Sequence, residues 1–380
     1  MMRSRTSVVM DRFEEADRIA RTAVERGQIP GVALHVRAEG RVVHERAFGV
    51  RRSDEGAPLA LTDIFPVASL TKPVVAVGAL QLCEQGVLRL DDPIARYLPE
   101  FASPTVLVSY NLESRALVTR PARRGIVVRD LLTHTSGIHH GFPQLDDVLG
   151  SLYERAGVVH GDGMPMAEKV KNLGPLPLVH DPGETWTYGL SSDVAGRLLE
   201  VLSGEPLDRF LSARVFEPLG MTNSFFRVPV GERPRLVSPH TREPCGLVPA
   251  RWARDVDGRH LSGGGGLHTT VGDYGCFVQS LLDGGAPLLT PASIELMLQN
   301  HIGDAKAFGL RYGLGVGVAT DDAPGESPLP IGGFGWYGIY STWFWALPRR
   351  RTAVLFFANV LDPTMNLPLF ARVVAAIDRA

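Results

Sequence analysis

The segment PVASLTKPVVAV, from Pro66 to Val77, sets a serine and a lysine three residues apart inside an apolar run. Lysine is scarce in this chain: Lys72, Lys169, Lys171 and Lys306 are the only four, against 39 lysines and arginines together. Lysine thus stands at the position that reads as most buried. Arginine stays protonated inside proteins, whereas a buried lysine can give up its proton. Lys72 is therefore a candidate base and Ser69 a candidate nucleophile. On a helix, side chains three positions apart are neighbours, with Cβ atoms about 5–6 Å apart. A helix beginning near Ser69 would put the hydroxyl and the amine on one face. Pro73 fits a first helical turn, and VVAVGAL beyond it is apolar on every side, as in a buried helix. Free N–H groups at such a helix start favour developing negative charge. A neutral Lys72 taking the Ser69 proton would contribute about 10²–10⁴-fold to a rate. The plainer alternative is that Ser69 only caps the helix and Lys72 reaches out to water. The SxxK spacing alone does not separate the two.

The elements around this pair read as follows. Phe13 to Arg26 has the apolar spacing of an amphipathic helix, with Phe13, Ala16, Ile19, Ala20, Ala23 and Val24 on one face. Val32–Val36 and Arg41–Phe48 read as strands around a turn at Glu39-Gly40. The SxxK helix runs to about Gln85, with Gly86 as its cap. Between Asp91 and Arg259 proline and glycine are frequent. The helical stretches there are short: Ile126–Leu132, Val194–Ser203 and Asp208–Val215. Helices are expected at Gly272–Leu282 and Pro291–Gln299, then strands at Gly313–Ala319, Ile339–Leu347 and Thr352–Val360, and a last helix at Leu367–Ile377. Strand alternation puts Trp343 and Trp345 on one face and Phe344 on the other, with one face expected to be buried under helices. Strands at both ends and helices between them predict an α+β fold. Its antiparallel sheet domain would comprise residues 1–88 and 262–380, with a mainly helical domain, 89–261, inserted and the active site at their interface.

Composition narrows the function. The chain has 380 residues, 44% hydrophobic and 21% charged, with net charge −2 and both signs interspersed. No basic stripe supports nucleic-acid binding, and no apolar run is long enough to span a membrane. Cys83, Cys245 and Cys276 are widely spaced and odd in number, which predicts buried thiols rather than disulfides or a CxxC metal site. The first 24 residues carry no apolar signal segment, so cytoplasm is the expected location. His134, His139 and His140 lack the HExxH pattern or a carboxylate at matching spacing, so no metal is expected; His134 is expected to bond to backbone. Gly263–Gly266 is followed by no Gly-Lys-Ser/Thr and reads as a tight turn rather than a phosphate loop. No GxSxG elbow occurs, which argues against an α/β-hydrolase.

Further stretches stand at telling separations: RDLLTHTSG (Arg129–Gly137), HDPGETWTYGLSSDVAGRLLEVLSG (His180–Gly204), GGGGLHTT (Gly263–Thr270), YGLGVGV (Tyr312–Val318) and GGFGWYGIYSTWFWALP (Gly332–Pro348). Together with TDIFPVASLTK, these resemble the serine hydrolases related to class C β-lactamases, and within them the family VIII carboxylesterases. The resemblance runs from about Ala16 to Val374. It implies the β-lactamase/DD-peptidase-like fold, with Ser69 as nucleophile, Lys72 as general base or its partner, and Tyr188 as the proton shuttle to the leaving group. It also implies that Trp336-Tyr337-Gly338 is the third motif and that the backbone N–H groups of Ser69 and Ile339 form the oxyanion hole. A serine of this kind attacks an acyl carbonyl, and water or another nucleophile releases the acyl group. No cofactor is needed.

Three departures from that pattern bear on the substrate. Leu190 replaces the asparagine of the second motif, and Trp336 replaces the lysine of the third. Leucine and tryptophan do not grip an amide and a carboxylate as those polar groups do. Weak recognition of β-lactams and a preference for neutral, apolar acyl groups follow. Tyr337 stands where glycine or threonine is usual, which implies a narrower acyl pocket or an added phenol contact. The leading expectation is a carboxylesterase acting on small-molecule acyl esters. An acyltransferase of secondary metabolism would use the same acyl-enzyme, and the sequence does not separate the two. A β-lactamase, DD-peptidase or linear-amide hydrolase is a third reading. A catalytically dead penicillin-recognition module is a fourth, opposed by the presence of Ser69, Lys72 and Tyr188. The oligomeric state is not legible.

Overall fold

The computed structural model describes residues 5–111, 116–140, 147–158, 164–250, 256–322 and 327–379. Helix α1 (Arg5–Glu25) leads into the hairpin β1 (Gly31–Ala38) and β2 (Arg41–Gly49). Strand β3 (Phe65–Pro66) and a 3-10 turn, Ala68–Leu70, precede α2 (Thr71–Glu84). A second hairpin, β4 (Thr105–Tyr110) and β5 (Leu117–Pro121), is followed by α3 (Val128–Thr133), α4 (Asp147–Arg155), α5 (Met166–Leu173), α6 (Ser191–Ser203) and α7 (Leu207–Leu211). Then come the hairpin β6 (His240–Glu243) and β7 (Gly246–Pro249), strand β8 (His268–Thr269), α8 (Val271–Leu282) and α9 (Pro291–Leu298). The chain closes with β9 (Arg311–Tyr312), β10 (Gly317–Val318), β11 (Phe334–Gly338), β12 (Thr342–Leu347), β13 (Thr352–Ala358) and α10 (Pro363–Asp378).

Seven strands form one antiparallel sheet in the order β2-β1-β13-β12-β11-β10-β9. Its two faces are built by alternation. Val32, Leu34 and Val36 of β1, with Trp343 and Trp345 of β12, pack against Ala16, Ile19 and Ala20 of α1 and Val373, Val374 and Ile377 of α10. Phe344, Leu355 and Phe357 point the other way, into a larger core that includes Tyr274 and Phe277 of α8. The split of Trp343 and Trp345 from Phe344 is as expected, but both faces are covered rather than one. That larger core continues without a break through α2 into Leu131 of α3, Val170 of α5 and Leu199 of α6. Each aliphatic or aromatic side chain buried there contributes about 1.5–3 kcal/mol. Every residue of α2 from Thr71 to Leu82 is buried, which is why its sequence is apolar on all sides. Gly78 lets α2 sit close to its neighbours, since a Cβ there would lie 3.0–3.2 Å from Phe210, Leu199 and Leu211.

Several expectations need correction. The strand expected over Gly313–Ala319 shrinks to Gly317–Val318. Ile339–Ser341 is a turn, closed by Ser341 at φ 61, so β12 begins only at Thr342. The Trp336-Tyr337-Gly338 motif lies in β11, whose alternation is masked by Gly335 and Gly338. The helix expected over Asp208–Val215 is present, but only its first part is α-helical: α7 passes without interruption into a π-helical segment, Ser212–Phe216. Of the cysteines, none is in a disulfide; Cys245 is exposed and the other two are half-buried. Burial pushes the Cys83 thiol up to about 11, so it stays protonated. Among the described residues, no helix is long and apolar enough to cross a membrane.

Candidate active site

The turn that carries Ser69 is pinned from four sides. Val67 N–H donates to the Leu267 carbonyl at 3.1 Å, extending the β3–β8 ladder. The Val67 carbonyl accepts from Thr342 Oγ1 at 3.2 Å, tying the turn to β12. Thr71 Oγ1 donates to the Ala68 carbonyl at 2.7 Å and accepts from Leu267 N–H at 3.1 Å. Tyr274 Oη donates to the Leu70 carbonyl at 2.8 Å. Between these anchors Ala68 is held at φ 45, a left-handed conformation uncommon outside glycine. The backbone thus reverses just before Ser69, whose side chain remains partly exposed at the mouth of α2.

Two polar groups converge on that side chain. Lys72 Nζ donates to Ser69 Oγ at 3.0 Å, and Tyr188 Oη donates to the same oxygen at 2.7 Å. Ser69 and Lys72 thus lie within hydrogen-bond reach of each other, and Lys72 is 5% exposed and turned inward rather than toward water. Its Nζ also donates to the Gly264 carbonyl at 2.7 Å and lies 4.8 Å from the Tyr188 ring centre. The Gly263–Gly266 turn is thus a lysine anchor.

Tyr188 comes from a loop held by the THTSG turn. Thr187 N–H donates to the His134 carbonyl at 2.8 Å, and Gly183 N–H to the Thr135 carbonyl at 2.7 Å. Gly189 must be glycine, because a Cβ there would lie 2.0 Å from the Ile138 carbonyl oxygen. His134 Nδ1 accepts from Gly189 N–H at 3.4 Å, which leaves Nε2–H to donate to Ser192 Oγ at 3.4 Å. Burial, and secondarily the Lys72 charge, hold the His134 imidazole well below its ordinary range. The ring is therefore neutral, 4.9 Å from that of Tyr188.

The remaining positions separate by face. Trp336 is buried beside the hydroxyls, its ring 6.0 Å from Tyr188 and 4.9 Å from Tyr312. Trp186 and Phe308 complete this aromatic wall. Tyr337, next along β11, stacks on Trp343 at 4.4 Å on the opposite face of the sheet. Gly338 packs against the nucleophile turn, where a Cβ would lie 2.2 Å from the Val67 carbonyl oxygen. Ile339 follows at the start of the turn and is 37% exposed. Leu190 is 2% exposed and belongs to the main core. Such a set can take a proton from a serine and return it to a departing group beside an aromatic wall.

Residues 16–378 match the Beta-lactamase family. The chain belongs to the beta-lactamase family. This beta-lactamase-family chain is 33% identical over 335 residues to the lovastatin esterase of Penicillium rubens, covering 85% of this chain and 82% of that protein. It is 30% identical over 367 residues to the acyltransferase calJ of Penicillium decumbens, covering 89% and 85%. Among solved structures, EstCE1, described as a hydrolase with promiscuous acyltransferase activity, superposes with a TM-score of 0.85 over 98% of this chain and 99% of that one, at 24% identity. The fold is that of beta-lactamases and penicillin-binding proteins, an antiparallel sheet with helices.

Two further residues of this beta-lactamase-family site are not marked by the motifs of the sequence. Asp193, buried in the first turn of α6, accepts from Ser262 Oγ at 2.5 Å and from Gly264 N–H at 3.2 Å. It fixes the turn whose carbonyl holds Lys72. Phe308 sits on the loop before β9 at φ 52 and is 54% exposed, against Tyr188 and Trp186. A lone aspartate five residues after Tyr188 was the only signal for the first. Nothing in the sequence marked the second.

Proposed function

We propose that this chain is a serine esterase that cleaves neutral carboxylic esters through an acyl-enzyme on Ser69. The observation that carries the reading is a single oxygen, Ser69 Oγ, held at 3.0 Å from Lys72 Nζ and 2.7 Å from Tyr188 Oη. In the reactive form Lys72 is a neutral amine. Ser69 Oγ bonds to the ester carbonyl carbon while its proton passes to Lys72, directly or through Tyr188. The carbonyl oxygen becomes an oxyanion between the backbone N–H groups of Ser69 and Ile339; such a donor typically contributes about 10²–10³ to the rate. The carbon–oxygen bond to the alcohol then breaks, and the alcohol oxygen takes a proton from Tyr188, which recovers one from Lys72 and leaves the amine neutral again. Water attacks the acyl-enzyme and loses its proton to the same base. Ser69 leaves reprotonated, and the carboxylic acid departs.

Trp336 and its aromatic neighbours favour apolar acyl groups and offer no cation to a β-lactam carboxylate. A second reading, transfer of the acyl group to an alcohol instead of water, is favoured by the 30% identity to an acyltransferase. It uses the same residues. Initial rates on p-nitrophenyl butyrate and on a chromogenic cephalosporin, for wild type and Ser69→Ala, test the proposal. Ester turnover should fall by at least about 10³-fold in the variant, with cephalosporin cleavage slow in both. Equal ester rates in the two proteins would refute it. Adding an acceptor alcohol and measuring new ester against free acid separates transfer from hydrolysis.

A further inference from the structure

His134 is fully buried beside the Ser69 site, yet none of the proposed steps uses it. It stands at the C-terminal end of α3 with φ 56, a left-handed conformation that histidine, asparagine and aspartate adopt more readily than other side chains. Its contacts gather around one neighbour. The His134 carbonyl accepts from Thr187 N–H at 2.8 Å, and Nδ1 accepts from Gly189 N–H at 3.4 Å. One residue thus holds the chain on both sides of Tyr188. The imidazole lies 4.9 Å from the Tyr188 ring, nearer than the rings of Phe308 (5.7 Å), Trp186 (5.8 Å) or Trp336 (6.0 Å). Nε2 reaches Ser192 Oγ at 3.4 Å, which ties the imidazole to the first turn of α6.

We infer that His134 is a positioning residue, whose imidazole sets the Tyr188 phenol against Ser69 Oγ. The inference rests on the esterase reading, in which Tyr188 gives its proton to the departing alcohol. Tyr188 Oη sits at the far end of its side chain, so a small tilt of the ring carries the oxygen away from Ser69, 2.7 Å distant. A misplacement of about 1 Å costs on the order of 10²-fold in rate. Gly189 adds freedom to the chain just after Tyr188, and it must stay glycine because a Cβ there would lie 2.0 Å from the Ile138 carbonyl oxygen. The hold at this point therefore comes from outside the loop. A neutral imidazole accepts at one nitrogen and donates at the other. That matches the amide donor of Gly189 and the hydroxyl oxygen of Ser192. A phenyl ring would fill the same space and bond to neither. The carbonyl bond to Thr187 survives any substitution, so the side chain's share is the ring contact and the Nδ1 acceptor.

Two esters that differ only in the leaving group test the inference. p-Nitrophenoxide departs without a proton, whereas ethoxide needs one, so ethyl butyrate draws far more on Tyr188 as an acid. Values of kcat/KM are measured on both for wild type, His134→Ala and His134→Asn. His134→Ala should lose about 10²-fold on ethyl butyrate, and the ratio of p-nitrophenyl to ethyl butyrate should rise by about tenfold or more. A misfolded fraction lowers both rates alike and leaves that ratio unmoved. His134→Asn suits the left-handed backbone and offers an acceptor from its side-chain oxygen, so it should recover most of the ratio. Equal losses on the two esters, or His134→Asn no better than His134→Ala, would overturn the assignment. If His134→Ala fails to fold, His134→Phe takes its place as a ring without an acceptor. A crystal structure of the variant reads the same claim without turnover. Tyr188 Oη beyond hydrogen-bond reach of Ser69 Oγ supports it, and the phenol kept in place overturns it. A wild type inactive on both esters would count against the esterase reading, while the crystal structure would still decide what holds the phenol.

Discussion

An amine and a phenol meet on the hydroxyl oxygen of Ser69. Holding that geometry takes more than the residues that touch it. Lys72 is aimed by the Gly264 carbonyl, and Gly264 is aimed by Asp193. Removing that carboxylate frees the turn and lets the amine drift. A displacement of about 1 Å costs on the order of 10²-fold in rate. Asp193→Ala is therefore expected to lower kcat on p-nitrophenyl butyrate by about that factor with KM little changed, and Asp193→Asn to recover part of it. A role confined to stability would instead lower the melting temperature and leave kcat per folded molecule intact. Ser69 and Lys72 stood out by residue type and spacing, and Tyr188 only through the resemblance to a known family. Asp193 was not, because its partner Ser262 lies 69 positions away.

At the scale of elements, β11 does two jobs with adjacent residues. Trp336 faces the hydroxyls, Tyr337 faces α10, and Gly338 presses against the Val67 carbonyl. The strand thus couples the nucleophile turn to the sheet. Its sequence hides this, since glycines interrupt the alternation that marks a strand. Long helices with a full apolar face, such as α2 and α6, were plain in the sequence because burial fixes many positions at once. Two-residue strands such as β3, β8, β9 and β10 leave no such period. Their existence depends on partners far along the chain. The hairpin β4–β5 was also missed: most of its side chains are exposed or half-exposed, so no apolar face marks it.

The whole molecule closes over several histidines that it keeps neutral. His35, 1% exposed on β1, is pushed down to about 4 by burial, with Glu45 opposing and Arg37 assisting. His134 is held well below its ordinary range by burial and by Lys72. In the unfolded chain both imidazoles bind protons below about pH 6.5. The native state refuses those protons, so stability is full above that pH and falls as acid is added. The loss should reach up to about 1.4 kcal/mol per pH unit for each histidine. Urea unfolding midpoints at pH 7.5 and 5 should therefore differ, with the lower value at pH 5, and His35→Leu should reduce the difference. Identical midpoints would mean that neither ring is held neutral.

The proposed chemistry turns on a covalent bond between substrate and Ser69. Mixing the protein with excess p-nitrophenyl butyrate, quenching in acid within the first turnovers and digesting for mass spectrometry reads it directly. A single butyryl group on the peptide that carries Ser69, absent from Ser69→Ala, is the predicted result. Ester turnover with that peptide unmodified, or with the butyryl group on another residue, would contradict it.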